Sequence, residues 1–325
     1  MSSLTASPPR TADPVRAGDA WLLAAQDRDG AWRDYALEPG ASDAWVTAVV
    51  AHALAVPPVA PEAVGAIGRA ADFLHAVRRP SGWGYNDRAA TDADSTSWAL
   101  ALLLAVDDLR GVDPVALLAP RLDARGGAHT FAGARFGGWA GEHPEVTAVA
   151  ADVLRAADPA SPVAAAAIAR VRETQRRRGG WPAYWWTSDA YATARSLLTL
   201  HGAAALDDRA RHAARQWLAG APCAARTPFD LAHVVLAAVA LDADPAARET
   251  QADRLRALQA PDGGWPPSPT LLVPPQHAPG RGAANADARG LMSTATAVMA
   301  LKAVRGTSSL ARGWTWATHW QEHAW

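Results

Sequence analysis

The sequence predicts an all-α fold, an (α/α)6 barrel (toroid) of six outer–inner helix pairs. Three observations carry this. One short phrase recurs along the chain, helical segments flank each copy, and the segments that follow begin alike.

The phrase is Gln, three residues, Gly, one residue, Trp. It reads QDRDGAW ending at Trp32, QRRRGGW at Trp181 and QAPDGGW at Trp265, with weaker copies in VRRPSGW at Trp83 and ARFGGW at Trp139. Recurrence at this spacing marks a repeat architecture. The gap from Trp181 to Trp265 is twice that from Trp139 to Trp181, which predicts a sixth, degenerate copy near residues 221–225. The glutamines and tryptophans are expected to staple turns.

Apolar-periodic stretches precede the copies, for instance at 17–25, 66–77 and 254–258. More apolar ones follow at 46–54, 98–106, 146–154, 190–200, 231–241 and 294–304. Alanine and leucine dominate, Gly and Pro fall between segments, and strand-like alternation is absent. A helix apolar all round is a buried helix, whereas an amphipathic one lies outside it. Six buried helices ringed by six outer ones is the closed arrangement that fits. The barrel is expected over 14–305. A polar, Pro-rich leader at 1–13 without the apolar core of a signal peptide precedes it, and a Trp-rich tail at 306–325 follows.

Composition narrows the function. The 325 residues are 50% hydrophobic, enough for a large core, and a net charge of −1 offers no nucleic-acid footprint. Cys223 is the single cysteine, which excludes a disulfide framework and a multi-cysteine zinc site. No apolar run is long enough for a membrane span, so a cytoplasmic location is the expectation.

Aligned on their Thr-Ala pair, the inner segments begin DAWVTA at Asp43, DADSTS at Asp92, HPEVTA at His143, DAYATA at Asp189, PFDLAH at Pro228 and MSTATA at Met292. An Asp in first place suits a helix N-cap, the expected role of Asp43 and Asp189. The third position varies: Trp45, Asp94, Glu145, Tyr191, Asp230, Thr294. Repeats related by rotation place these six in a ring at one mouth of the barrel, where chemistry is expected.

These repeats and their T-A-rich inner helices resemble the squalene–hopene cyclase, class II terpene cyclase and protein-prenyltransferase β-subunit superfamily, over roughly residues 13–305. In the second repeat, GWGYNDRAATDADSTSWALALL resembles the class II stretch in which a Gly-Trp turn precedes Asp-x-Asp-Asp-Thr. The resemblance implies that Asp94 is the proton donor to an alkene or epoxide, with Asp92 and Thr96 as its neighbours. Ser95 stands in place of the last Asp, a variant that drimenyl-type sesquiterpene cyclases resemble. It further implies a protonation-initiated cyclase acting on a linear isoprenoid. The candidates are a C15 or C20 prenyl diphosphate or a prenylated small molecule, since one barrel leaves no room for the second domain of squalene cyclases.

Physical chemistry supports an acid here. An ordinary Asp, with a pKa of about 3.9, is ionised at neutral pH. Burial and a second carboxylate two residues away hold one of the pair protonated, and the helix N-terminus then stabilises its conjugate base. A carbocation needs aromatic faces, which attract a cation without attacking it. Trp45, Trp98, Tyr184, Trp186 and Tyr191 are the candidates, with Glu145 and Asp230 completing the substrate-binding set. Residues 266–290 form a Pro/Gly-rich loop read as a lid, whose Arg289 and Arg281 are placed to meet a diphosphate. No resident cofactor is expected and no metal ligands are assigned, although Mg2+ would help with a diphosphate. His143, His233, His277 and Glu145 are equal candidates for the base that ends the reaction. The Trp-rich tail raises peripheral membrane contact. A non-catalytic isoprenoid-binding or protein-interaction barrel is the alternative.

Overall fold

The computed structural model describes residues 13–306. Its inner helices are α2 (Ala44–Ala55), α4 (Ala93–Ala105), α6 (Pro144–Ala157), α8 (Ala190–Gly202), α10 (Pro228–Ala240) and α12 (Leu291–Arg305). Each packs on the next, and α12 packs back on α2, closing the ring. The outer helices are α1 (Pro14–Ala24), α3 (Ala63–Val77), α5 (Pro114–Leu118), α7 (Pro162–Glu173), α9 (Asp208–Ala224) and α11 (Pro245–Ala257). Thus the described residues form the all-α toroid that the sequence predicts. The inner helices are largely buried: in α4 every residue but Asp94 and Leu104 is buried. Outer α9 buries only Ala210 and Ala214.

The repeated phrase is a staple with three parts. The Trp indole N–H donates to the carbonyl of its own outer helix: Trp32 to Leu22 at 2.8 Å, Trp83 to Leu74 at 2.7 Å, Trp181 to Val171 at 2.6 Å and Trp265 to Leu255 at 2.7 Å. A threonine hydroxyl of the inner helix accepts from the Trp backbone N–H, in Thr47, Thr96, Thr193 and Thr294. The Gln amide bridges its own turn to the next outer helix, Gln26 to Gly30 and Ala66 and Gln175 to Gly179 and Ala210, each oxygen 2.9–3.0 Å away. Gln259 reaches Pro14 of α1 at 2.9 Å, tying the last repeat to the first. Gly179 has φ +90°, and a Cβ there would lie 1.8 Å from the Ala213 carbonyl oxygen, so the turn admits only glycine.

The structure departs from the expected repeat in two places. The third turn is not at Trp139. It runs through Gly126 and Gly127 to Ala128, whose N–H meets Thr147 Oγ1 at 2.9 Å, so alanine replaces the tryptophan. Residues 221–224 are the end of α9 and Ala225 is its C-cap, so no Gly-Trp turn stands there.

The loop at 266–290 also departs from expectation, because it folds into a hairpin of β3 (Pro269–Val273) and β4 (Ala283–Ala286). A shorter one, β1 (Asp34–Leu37) with β2 (Gly40–Ser42), follows the first turn. These strands are too short, and too rich in Pro, Gly and Ala, to show alternation. The β3 hairpin lies against the segment before α8: Leu272 N donates to Trp185 O at 2.8 Å and Thr187 N to Thr270 O at 2.9 Å. Trp139, released from stapling, donates its indole N–H to Pro274 O at 2.7 Å and holds the hairpin's far end. The single lysine, Lys302, is fully buried, ion-paired to Asp19 at 3.1 Å and donating to Ala53 and Leu54 carbonyls, which joins α12, α1 and α2. The Trp-rich tail and most of the leader lie outside the described residues.

Candidate active site

All six inner helices point their N-termini at one mouth. Counting from each N-cap (Asp43, Asp92, His143, Asp189, Thr227, Gly290), the second helical residues are Trp45, Asp94, Glu145, Tyr191, Phe229 and Met292. The expected ring is therefore corrected in two repeats. Thr294 is the stapling threonine of the sixth, so Met292 takes its place. In the fifth, Thr227 caps α10 by accepting from Asp230 N, so Phe229 holds the ring position and Asp230 lies one residue on, accepting from the Ser188 hydroxyl at 2.6 Å.

Asp94 is largely enclosed by protein and keeps only partial exposure at the start of α4. Its Oδ1 has no hydrogen-bond partner. Burial first, then the charges of Asp92 and Glu145, push its pKa well above the usual carboxylate range, against the opposing pull of Arg195 and the Trp45 indole. Asp94 is thus a carboxyl biased toward its protonated form, with one oxygen free of hydrogen bonds.

Its neighbours do other work. Asp92 Oδ1 accepts from Ser95 N and Oδ2 from the Ser95 hydroxyl, both at 2.7 Å, so Asp92 caps α4 and Ser95 serves Asp92 rather than Asp94. Burial raises Asp92 to about 6. Thr96 Oγ1 bonds both backbone groups of Trp83, which places it in the staple and not beside the acid. Asp43 caps α2 through Ala44 N as expected. Asp189 makes no cap bond; it pairs instead with Arg176 at 2.7 Å and accepts from Ala183 N.

Glu145 Oε1 accepts from Tyr184 N at 2.7 Å and Trp185 N at 2.8 Å, its Oε2 is buried without a partner, and burial raises it to about 7. A carboxyl so raised favours the folded state below its unfolded pKa, near 4.5, and loses that contribution as pH climbs through 7. Glu145→Gln keeps an oxygen for both N–H groups without the charge. Its stability relative to wild type should therefore rise between pH 4.5 and 7 and level off above, as read by urea melts across that range. A difference that stays flat with pH would contradict the assignment.

Aromatic rings line the space beside Asp94. Trp186 stacks on Phe229 at 4.5 Å and Tyr191 at 4.6 Å, and lies 6.1 Å from Trp45. One helical turn deeper, Trp98 donates its indole N–H to the Tyr191 hydroxyl at 3.1 Å. Tyr184 sits farther out, stacked on His143 at 3.9 Å and touching the hairpin side. Arg289 is committed elsewhere: its guanidinium donates to Arg33 O and Ala25 O, fastening the loop to the first turn. Arg281 donates to Thr187 O. The sequence reading missed Arg195, buried at the level of Trp98, with its guanidinium 4.5 Å over the Trp98 ring.

The mouth thus defines a protein class: a helical toroid that holds a buried carboxyl, its pKa raised, in a ring with aromatic side chains. Comparison with family models and with curated proteins by sequence finds no match. Solved structures do match. The type II terpene cyclase MstE from Scytonema is 27% identical with a TM-score of 0.77, over 91% of this chain and 97% of that one. A variant of MstE in complex with geranylgeranyl dihydroxybenzoate, its substrate, is 26% identical with a TM-score of 0.78, over 90% and 97%. A protein from Actinoplanes is 28% identical with a TM-score of 0.77, over 90% and 98%. ent-Copalyl diphosphate synthase from Streptomyces platensis shares the fold at 19% identity and a TM-score of 0.58, over half of its own length. The chain is thus similar to type II terpene cyclases in fold and, at 26–27% identity over nine-tenths of its length, in sequence. No helix among the described residues is long and apolar enough to cross a membrane.

Proposed function

We propose that this chain is a class II terpene cyclase acting on a prenylated small molecule, and that Asp94 is its general acid. The observation that carries this is the buried, unpartnered Asp94 Oδ1 in the ring of helix-start residues that also holds Trp45, Tyr191 and Phe229. Asp94 gives its proton to the terminal alkene of the prenyl chain. The resulting cation is stabilised by the faces of Trp45, Trp186, Tyr191 and Phe229 while internal alkenes close rings. The Asp94 carboxylate left behind is stabilised by the N-terminus of α4. Wet solvent would quench the cation, and the β3 hairpin over the mouth excludes it.

The substrate is a C15 or C20 prenyl diphosphate or a prenylated aromatic such as the one MstE binds. No resident cofactor is required; Mg2+ assists only where the substrate carries a diphosphate. The test is incubation of the purified chain with farnesyl diphosphate, geranylgeranyl diphosphate and geranylgeranyl dihydroxybenzoate. A cyclised product that keeps its diphosphate or aromatic head is the expected result. Loss of diphosphate on cyclisation, or no turnover of any of the three, overturns the proposal.

Asp92 gives a second prediction. With a pKa of about 6 it is charged at pH 7 and neutral at pH 5, and in its charged form it adds to burial in raising Asp94. Asp92→Asn keeps an oxygen for Ser95 N and removes that charge, so its loss of kcat should be about tenfold or more at pH 7.5 and vanish at pH 5. An equal defect at both pH values would assign Asp92 to capping alone.

A further inference from the structure

One turn below the ring that holds Asp94, the inner helices present a second tier, in which Trp98, Arg195 and His233 occupy the sixth position after their caps. The step between tiers is about 6 Å along the axis, four residues at 1.5 Å each. Around the ring, α10 lies opposite α4. His233 is therefore across the barrel axis from Asp94 and one tier deeper.

His233 is fully buried. Its Nδ1 lies 2.8 Å from Phe229 O, and a carbonyl only accepts, so Nδ1 carries the proton and Nε2 is a bare lone pair. That Nε2 has no hydrogen-bond partner. The imidazole meets the Tyr191 ring edge-on at 5.0 Å and the Phe229 ring at 4.3 Å, both members of the cation-stabilising wall. We infer that His233 is the base that ends the cascade, taking a proton from carbon next to the final cation at Nε2; this rests on the cyclase reading above.

The balance closes. The C–H bond breaks, its electron pair becomes the new alkene, and the proton forms a bond to the Nε2 lone pair, giving an imidazolium. The proton gained equals the one Asp94 gave, so the net reaction is an isomerisation. Burial and the Arg195 charge hold the imidazole neutral until the proton arrives.

Arg195 explains why the reaction ends in this tier. Its guanidinium lies 4.5 Å over the Trp98 ring, so a fixed cation already occupies a face that a carbocation would otherwise use in this tier. A carbocation that reaches this tier therefore meets the His233 lone pair without a free Trp98 face to hold it. The other candidates are less well placed. Glu145 is in the tier of Asp94 on the adjoining helix, where the cation begins. His143 pairs with Thr130 Oγ1 and stacks under Tyr184, and His277 is exposed.

The test uses the substrate that wild type turns over, with products identified by mass spectrometry and NMR. His233→Phe keeps the ring packing and removes the lone pair; His233→Ala checks it by a different route. Both should cut the share of the wild-type alkene isomer about tenfold or more, with other isomers or a water adduct in its place. Glu145→Gln should alter the rate and keep the product. Unchanged product proportions in both His233 variants overturn the inference, as does a raised KM with the same product, which would make Nε2 a holder of a polar substrate group. Failure of both variants to fold would assign His233 to the core and overturn it too. If wild type cyclises none of the substrates, the cyclase reading itself falls, a result distinct from all of these.

Discussion

Asp94→Asn is expected to abolish cyclisation, lowering kcat by at least about a thousandfold, within the range a general acid contributes. The reason is chemical rather than structural. Asparagine has the size of aspartic acid, and the Asp94 Oδ1 makes no hydrogen bond whose loss would disturb the helix. An amide cannot deliver a proton strong enough for an alkene. Asp43 and Asp189 supply the comparison, because they occupy the N-cap position that Asp92 holds. Asp43→Asn keeps a capping oxygen, and Asp189→Asn loses one half-exposed ion pair with Arg176, so each should cost about 1 kcal/mol or less and leave turnover alone. Initial rates and thermal melts of the three variants check this. Wild-type turnover by Asp94→Asn would sink the protonation mechanism.

The acid was legible in the sequence because the spacing Asp92-x-Asp94 stands in a helix start that the repeats make comparable. Burial could be read from α4 being apolar beyond that start. The partners were less legible. Ser95 stands in place of the last Asp of the family's pattern, but a hydroxyl three residues after an N-cap reaches the cap, and Asp92 takes it. Ser95→Asp would consequently set a third carboxylate against Asp92 rather than beside the proton donor.

Two ring members, Phe229 and Met292, were missed because the Thr-Ala pair is an unreliable ruler. The sixth helix carries two Thr-Ala pairs, and only the Trp265 contact tells that Thr294 is the stapling one. The fifth has none, and its readable signal was Thr227 before Pro228, a capping residue followed by proline at the first helical position. Trp139 misled for a related reason. Its Gly-Gly-Trp imitates the phrase, while the true third turn, DARGGA, has lost its tryptophan. Arg195 could have been found, since a lone arginine in the apolar run of the fourth inner helix has no solvent to reach.

The staple itself can be tested where it carries the acid and where it does not. Trp83→Ala and Trp181→Ala each delete an indole that is buried to within 1% and bonded to an outer-helix carbonyl, Leu74 O at 2.7 Å or Val171 O at 2.6 Å. Truncating a buried Trp costs about 3–5 kcal/mol, so both variants should melt far below wild type by a similar amount. Their effects on turnover should differ. Trp83 O accepts from Asp92 N at 3.0 Å and from the Thr96 hydroxyl at 3.1 Å, so this turn sets where α4 begins and where Asp94 points. Trp181 bonds Thr193 and so positions α8, which carries Tyr191 and Arg195 but not the acid. At a temperature where both variants remain folded, Trp83→Ala should lose kcat by about a hundredfold, because a catalytic group misplaced by an ångström costs that much. Trp181→Ala should lose markedly less and change the product mixture instead, since its helix shapes the wall and not the proton donor. Equal losses of kcat in the two would mean that the turns hold the barrel together without positioning Asp94.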